Sequence, residues 1–341
     1  MTMAGEGSRS RAQPLLADVA RRAGVSEITV SRVIRNKGPI SAKTRARVLD
    51  AVAETGYVPN RLAGALASAG SMLVGVVLPS VSNIVFADVL RGVHAALAPD
   101  SYQPVVGVTD YDALAEEEVV RSLLAWQPAA MILAGFEHTE ATRRMLEASG
   151  IRVAEIMDID AAPIDVAVGL SHRSAGRDIA RHLTARGYRR FGYVGHDWDR
   201  DHRARLRYEG LTDELRQNGL DLVAERRIAG PSSTLAGRET LAGLLAEGAR
   251  PDVVVFSNDD MAVGGYFHCL AAGLAVRRDI ALFGFNGLEI GAALPQPLST
   301  VRSNRFLIGQ RAAETLVARA DRPGASEIID TGYAIEIGET A

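Results

Sequence analysis

The sequence predicts an α/β protein built as a small helical head followed by a body of two doubly wound parallel sheets. Three observations carry this. Residues 15–34, LLADVARRAGVSEITVSRVI, have the spacing of two short helices joined by a tight turn. Basic residues crowd the first 71 positions. From Met72 onward, short β-rich runs alternate with helical stretches, the pattern of parallel sheets covered on both faces.

In the head, Val19 and Ala20 close the first helix, and Gly24 makes a turn that a side chain would obstruct. Val30 and Val33 recur at i, i+3 as the buried stripe of the second helix. Ala20, then Gly24, then Val30 is a spacing that lets the two helices cross closely. With those positions packed inward, Glu27, Ile28, Ser31 and Arg32 face out, and such a face fits a DNA major groove. An ordinary αα-hairpin shares the spacing, so charge has to decide. Residues 1–71 hold eleven Lys/Arg against five acids, a net +6, which leaves −9 for residues 72–341 of a chain at −3. A basic head on an acidic body is the footprint of a phosphate-binding module. Ser41 is the expected N-cap of a third helix with Val48, Leu49 and Val52 buried, ended by Gly56. Pro59 then breaks the chain before an Ala-rich helical run over 60–69, too short to be stable unless something packs on it.

At 341 residues, 47% hydrophobic and 23% charged, the chain is globular and exceeds one ordinary core. No apolar run approaches the length of a membrane span, about 18 residues or more. The start MTMAGEGSRSRAQP lacks the apolar core of a signal peptide, so a disordered tail over 1–13 and a cytoplasmic location are expected. The single Cys269 reads as a buried small hydrophobe.

The body's expected strands are LVGVVLP, QPVVGVT, AAMILAG, RVAEIMD and DVAVGL, then RRFGYVG, ERRIAG, DVVVFSN and DIALFGF. Helices are expected near 85–98, 112–126, 139–149, 172–187, 204–218, 235–247 and 259–273. Ligands in such folds sit beyond the carboxyl ends of the strands. The candidates there are Ser80, Ser82, Asn83, Phe86, Asp158, Arg207, Asn258 and Asn286. Any one Asn or Asp after a strand serves equally well as a helix N-cap. Together the set supplies a cation, a carboxylate and several amides, which suits a small, polyhydroxylated, acidic ligand. His138 and His172 also follow strands and either reach the cleft or serve in loops or interfaces. The Val85, Val89, Val93, Leu97 stripe is either a dimer face or packed on its own sheet.

An enzyme is not expected. The turn LPSVSN lacks the G-x-G-x-x-G of a dinucleotide site, and G-x-x-x-x-G-K-[ST], H-E-x-x-H and G-x-S-x-G are all absent, so no cofactor or metal is implied.

DVARRAGVSEITVSRVIRN, ISAKTR and GYVPNRLAGALAS resemble the lactose-repressor family of bacterial transcription regulators, and the resemblance runs from Leu15 to about Gly338. It implies a helix-turn-helix over 14–58, a hinge helix over 59–71 that folds on operator DNA, and a periplasmic-binding-protein-like body over 72–341. The body's N-subdomain would comprise 72–170 plus 304–320, and its C-subdomain 171–303 plus 321–338. The resemblance has Glu27, Ile28 and Arg32 reading bases, Ser26, Thr29, Ser31 and Asn60 positioning the backbone, Arg61 alongside, and Leu66 wedging into the minor groove. Glu27 departs from the neutral or basic residue of many relatives, and either accepts from a cytosine amino group or lies beside the groove. Positions matching Asp158, Arg207, Asn258 and Asn286 line the family's effector pocket.

LPSVSNIVFADVLRGV, LAGFEHTEATRRMLEASGI, EIMDIDAAPIDVAVGLSH and FSNDDMAVGGYFHC resemble the family's gluconate-utilisation branch. The implied effector is gluconate or a related sugar acid. Arg207 would hold its carboxylate, Asp158 and Asn258 its hydroxyls, and Phe86 would cover the carbon chain. Asn286 departs from the acidic residue of some sugar-binding relatives. A homodimer on a pseudo-palindromic operator is expected, with no heptad tail after Gly338 to make a tetramer. The expected regulator is a repressor released by effector; an activator is the alternative. A stand-alone sugar-binding protein of the transport type shares the body but has no use for the head.

Overall fold

A computed structural model describes residues 14–58, 71–318 and 326–341. The tail expected over 1–13 and the hinge helix, with Asn60, Arg61 and Leu66, lie outside the described residues. The chain divides into two compact units, Met1–Gly70 and Ser71–Ala341.

The first unit contains helices α1 (Leu16–Ala23), α2 (Glu27–Ile34) and α3 (Ala42–Thr55). Helix α1 runs past the expected close at Ala20 to Ala23, because Ala23 is itself buried against α2 and α3. Gly24 caps it at φ +63°, and a Cβ there would meet nothing within 4 Å. The glycine is therefore required by its left-handed backbone, not by crowding. Ser26 and Ser41 cap α2 and α3 by accepting from the amides of Thr29 and Thr44. Val19, Val30, Val33, Val48 and Ala51 form the small core. Leu49 corrects the expected stripe: it is 51% exposed, because the 100° step per residue turns 49 outward while 48, 51 and 52 face the core.

The second unit holds two six-stranded sheets, ordered β11-β5-β4-β3-β1-β2 and β12-β10-β9-β8-β6-β7. The first comprises β1 (Leu73–Leu78), β2 (Gln103–Val108), β3 (Ala130–Ala134), β4 (Arg152–Ile156), β5 (Val166–Gly169) and β11 (Glu327–Asp330). The second comprises β6 (Phe191–Gly195), β7 (Leu222–Arg227), β8 (Val253–Phe256), β9 (Ala281–Asn286), β10 (Ser299–Ser303) and β12 (Tyr333–Glu336). All pairings are parallel except β10 with β12. Helices α4 (Val85–Leu97), α5 (Ala113–Leu124) and α6 (Glu140–Ser149) accompany the first sheet. Helices α7 (His172–Ala185), α8 (His202–Gln217), α9 (Thr234–Ala246) and α10 (Asp259–Ala271) accompany the second. The short α11 (Glu289–Ala292) precedes β10, and α12 (Arg305–Ala318) returns to pack on α4.

Three expectations are corrected. Segment 321–338 is not wholly in the second subdomain: Glu327–Asp330 adds to the first sheet beside β5, and only then does the chain cross to β12. The strand expected at ERRIAG is Leu222–Arg227, paired to β6 from Phe191↔Leu222 to Gly195↔Arg227. It is an edge strand with alternating burial, so its apolar content is low and its ends are poorly marked. The Val85, Val89, Val93, Leu97 stripe is buried in the chain's own core, which excludes it as a dimer face.

Three helix pairs meet backbone to backbone through glycines. A Cβ on Gly92 of α4 would lie 2.0 Å from the Phe306 carbonyl, and one on Gly309 of α12 would lie 2.0 Å from that of Val89. Gly176 and Gly210 bring α7 and α8 together in the same reciprocal way, as Gly237 and Gly264 do for α9 and α10.

His138 lies in the loop after β3, buried between carboxylates. Its Nδ1 is 2.6 Å from Glu116 Oε1, and its Nε2 makes an ion contact of 3.4 Å with Glu155. Burial opposes the charged ring, but the two carboxylates outweigh it and push the pKa up to about 9. A raised histidine pKa gives stability that is complete below about pH 6.5 and is lost as pH rises through 9. Thermal melts at pH 6.5 and 9.5 should therefore show a larger loss for the native chain than for His138→Gln. Equal losses would remove the ion pair from the account.

Candidate functional site

In the head, α2 presents Glu27, Ile28 and Arg32 outward, with Ile28 67% exposed. Ser31 and Thr29 are half-buried. Ser26 and Thr29 are tied together, their hydroxyl oxygens 3.0 Å apart. The exposed ridge thus carries one acid, one apolar and one basic side chain on a helix held rigid by Val30 and Val33. Among the described residues Arg32 makes no ion pair, which leaves its guanidinium available for an outside acceptor.

In the body, the strand ends of both sheets converge on a cavity of about 230 Å³. Pockets for drug-sized ligands run from about 300 Å³ upward, so the occupant is small. The first sheet contributes Ser80, Ser82 and Asn83 after β1 and Tyr111 after β2. The second contributes His196, Arg200 and Asp201 after β6, Ser232 after β7, Asn258 and Asp260 after β8, and Asn286 after β9. Asn83 Nδ2 donates to Tyr111 Oη at 3.2 Å, and Ser80 and Ser82 share a hydroxyl hydrogen bond of 2.9 Å.

Five expected residues, Ser80, Ser82, Asn83, Asn258 and Asn286, therefore line the cavity; Phe86, Asp158 and Arg207 are not in its lining, and neither is Arg203. Phe86 is 1% exposed in the core of α4, with the Arg203 guanidinium 5.5 Å from its ring centre. The Asp158 carboxylate accepts from the amides of Ile159 and Asp160 at 2.7 and 3.0 Å. Burial, reinforced by the neighbouring Asp160, pushes its pKa up to about 6.

Arg207 is the hub of the second half. Its Nη1 lies 3.1 Å from His172 Nδ1, its Nη2 donates to the Ser257 carbonyl and to Asn258 Oδ1, and its plane rests 4.1 Å from the Phe285 ring centre. His172 Nε2 faces the Met157 carbonyl at 2.8 Å, and a carbonyl only accepts, so Nε2 carries the proton and Nδ1 accepts from Arg207. Burial and the two nearby arginines hold His172 well below its ordinary pKa, in keeping with a neutral ring. Asn258 Oδ1 also accepts from Asn286 Nδ2 at 3.2 Å, and Asn258 Nδ2 donates to Ser232. One continuous network thus runs His172–Arg207–Asn258–Asn286.

Several residues at these strand ends sit at positive φ: Tyr111 at 62°, Met157 at 79° beside Asp158, and Asn286 at 125°. Such conformations persist only where the surroundings impose them, and they cluster at binding sites. The carbonyl of Asn286 is clamped by Arg305, which is in turn paired with Asp88.

Sequence reasoning missed Tyr111, His196, Asp201, Arg203, Ser232 and Asp260. Tyr111 ends a β-rich run, as the chosen candidates do. Arg203 precedes Arg207 by one helical turn, which puts both on one face of α8. Asp201 caps that helix through the Ala204 amide, and its other oxygen is 3.3 Å from His196 Nε2. Burial works against the Asp201 charge, yet Arg203 and His196 hold its pKa well below the usual range. A larger depression of about 420 Å³ lies beside Trp198. That ring is covered by Arg227 at 3.7 Å and packed by Tyr208 at 4.4 Å, so it offers no open aromatic face.

Residues 15–60 match the model of bacterial regulatory proteins of the lacI family, and residues 180–339 match a periplasmic binding protein-like domain. The chain is 39% identical to the HTH-type transcriptional regulator GntR of Pseudomonas aeruginosa over 100% of its own length and 99% of that protein. The chain belongs to the LacI family. This LacI-family regulator is also 35% identical to the GntR regulator of Escherichia coli K12, over 96% of the chain and 98% of that protein. It resembles a crystal structure of a LacI-family regulator from Silicibacter pomeroyi with a TM-score of 0.91 and 45% identity, covering 96% and 99% of the two chains. With the lac repressor dimer bound to operator and anti-inducer, the TM-score is 0.83 at 26% identity, covering 96% and 99%. The chain is thus a DNA-binding transcriptional regulator, in a family whose members bind operator DNA and small-molecule effectors and are typically dimers.

Proposed function

We propose that this regulator is a cytoplasmic homodimeric repressor, released from a pseudo-palindromic operator by a small sugar acid such as gluconate. The observation that carries this is the cavity itself: small, lined from both sheets by hydroxyls and amides together with Arg200 and the carboxylates of Asp201 and Asp260, with Arg203 and Arg207 buried beside Asp201 and Asn258. Hydroxyl and amide groups recognise a polyol, and buried guanidiniums favour an anion. Effector bound across both subdomains changes their relative position, and the hinge helices, with Asn60, Arg61 and Leu66, lose their grip on the operator. Calorimetric titration with gluconate, 6-phosphogluconate, glucose and other aldonates tests the effector. Micromolar binding of gluconate with release of a labelled operator is expected; silence from every acid would end the sugar-acid reading.

For the head, Arg32 is proposed to pair with guanine while Ile28 makes apolar contact with bases. Arg32→Ala should weaken specific operator binding by about 1–3 kcal/mol, roughly 5- to 150-fold, and relax preference at one base pair. A uniform loss across all sequences would make Arg32 a phosphate contact instead. Leu66→Ala should reduce specific affinity more than non-specific affinity, since a wedge acts only on bent DNA. Equal losses would sink the wedge.

A further inference from the structure

Arg203 and Arg207 lie one turn apart on α8, yet their surroundings are opposite. Arg207 spends its Nη1 and Nη2 inside the protein, on His172, the Ser257 carbonyl and Asn258, and stacks on Phe285. Arg203 is 8% exposed, and its one hydrogen bond among the described residues is long, Nε to Asp201 Oδ1 at 3.5 Å. Its Nη1 is buried with no hydrogen-bond partner among the described residues. A buried charged donor left unmet is costly, so such a group marks a place where an acceptor is expected.

None of the acceptors around Arg203 meets that Nη1. Asp201 is shared among the Ala204 amide, the Arg203 Nε and His196, Asp158 accepts two backbone amides on one oxygen, and Tyr111 Oη accepts from Asn83. Arg203 also reaches across the cleft: it rises from the second subdomain and stacks near Phe86 of the first. Asp201, which accepts from the Arg203 Nε, lines the cavity.

We propose that Arg203, and not Arg207, is the anion receptor of the cleft, taking a carboxylate or similarly small anionic group of the ligand on its unpaired Nη1 edge. Arg207 is then a positioning residue that fixes Asn258 and Asn286 for the ligand's hydroxyls. Because Arg203 spans both subdomains, an anion held on its Nη1 couples occupancy to the contact across the cleft. This inference rests on the sugar-acid reading and sharpens it.

The test titrates the full-length protein calorimetrically with gluconate, with its uncharged counterpart glucitol, and with glucitol 6-phosphate. The native chain should prefer an anion to glucitol by about 10- to 150-fold, the worth of one charge-assisted hydrogen bond. Arg203→Gln should erase that ratio, and Arg203→Lys, which keeps the charge but loses the fork, should retain part of it. Arg207→Gln should weaken charged and uncharged ligands alike and preserve the ratio. A preserved ratio in Arg203→Gln, or an erased one in Arg207→Gln, overturns the assignment. Circular dichroism melts confirm folding; if the Gln variant does not fold, the Lys variant decides, and an unchanged ratio there overturns it too. An Arg203-dependent preference seen with glucitol 6-phosphate alone keeps the anion receptor and rejects the sugar-acid reading. Failure of the native chain to bind any of the three rejects both.

Discussion

Gly210→Val is expected to lower the melting temperature by several degrees and to abolish the effector response. A Cβ at Gly210 would lie 2.0 Å from the Arg173 carbonyl, an atom fixed in the backbone of α7 that cannot step aside. The two helices must part, and overpacking of this kind costs about 1–3 kcal/mol, sometimes more. At about 2–4 °C per kcal/mol for a domain of this size, the shift is readily measured. The functional consequence is larger than the thermal one. Helix α8 carries both Arg203 and Arg207, so parting it from α7 pulls Arg207 away from His172 and withdraws Arg203 from Phe86. Differential scanning calorimetry and an operator-release assay check the two effects. A native melting temperature would mean that the close approach is not a constraint.

On the proposed repressor reading, Arg207→Ala should leave the operator complex intact at effector concentrations that release the native chain. The substitution strips the donor from His172 Nδ1, the Ser257 carbonyl and one lone pair of Asn258, all buried. Each stranded acceptor costs about 1–3 kcal/mol, and Asn258 and Asn286 lose their common anchor. The coupling between effector and operator, of order 1–3 kcal/mol in regulators of this type, should vanish, removing a 5- to 150-fold change in operator affinity. A pH signature accompanies this. Burial and then Arg207 depress His172, so the folded ring resists protonation, and stability falls as pH drops through about 6.5. Without Arg207 that fall should be shallower. Operator release at native effector concentrations would show that the hub is dispensable.

The head and the plan of the body were legible in the sequence because they depend on local periodicity. The Val30–Val33 spacing, the serine caps and the alternation of strand and helix depend on neighbours in the chain. Leu49 was misread for a related reason: an apolar side chain at the edge of a helical stripe looks buried until its partners are known. The expected strand-end residues Ser80, Ser82, Asn83, Asn258 and Asn286 line the cavity, since parallel pairing puts the carboxyl ends of neighbouring strands on one edge of each sheet, where ligands bind.

What the sequence by itself determined was the class of the protein, the character of its head and the strand ends that meet at the cleft. Only the tertiary structure decided which arginine is engaged and which is left with a bare donor, since both lie on one face of α8 and differ only in what packs against them. It alone placed Glu327–Asp330 on the first sheet, showed that the Val85–Leu97 stripe faces inward, and paired the glycines that let helices touch. Each of these depends on contacts between residues far apart in the chain, and local pattern carries no record of the partner.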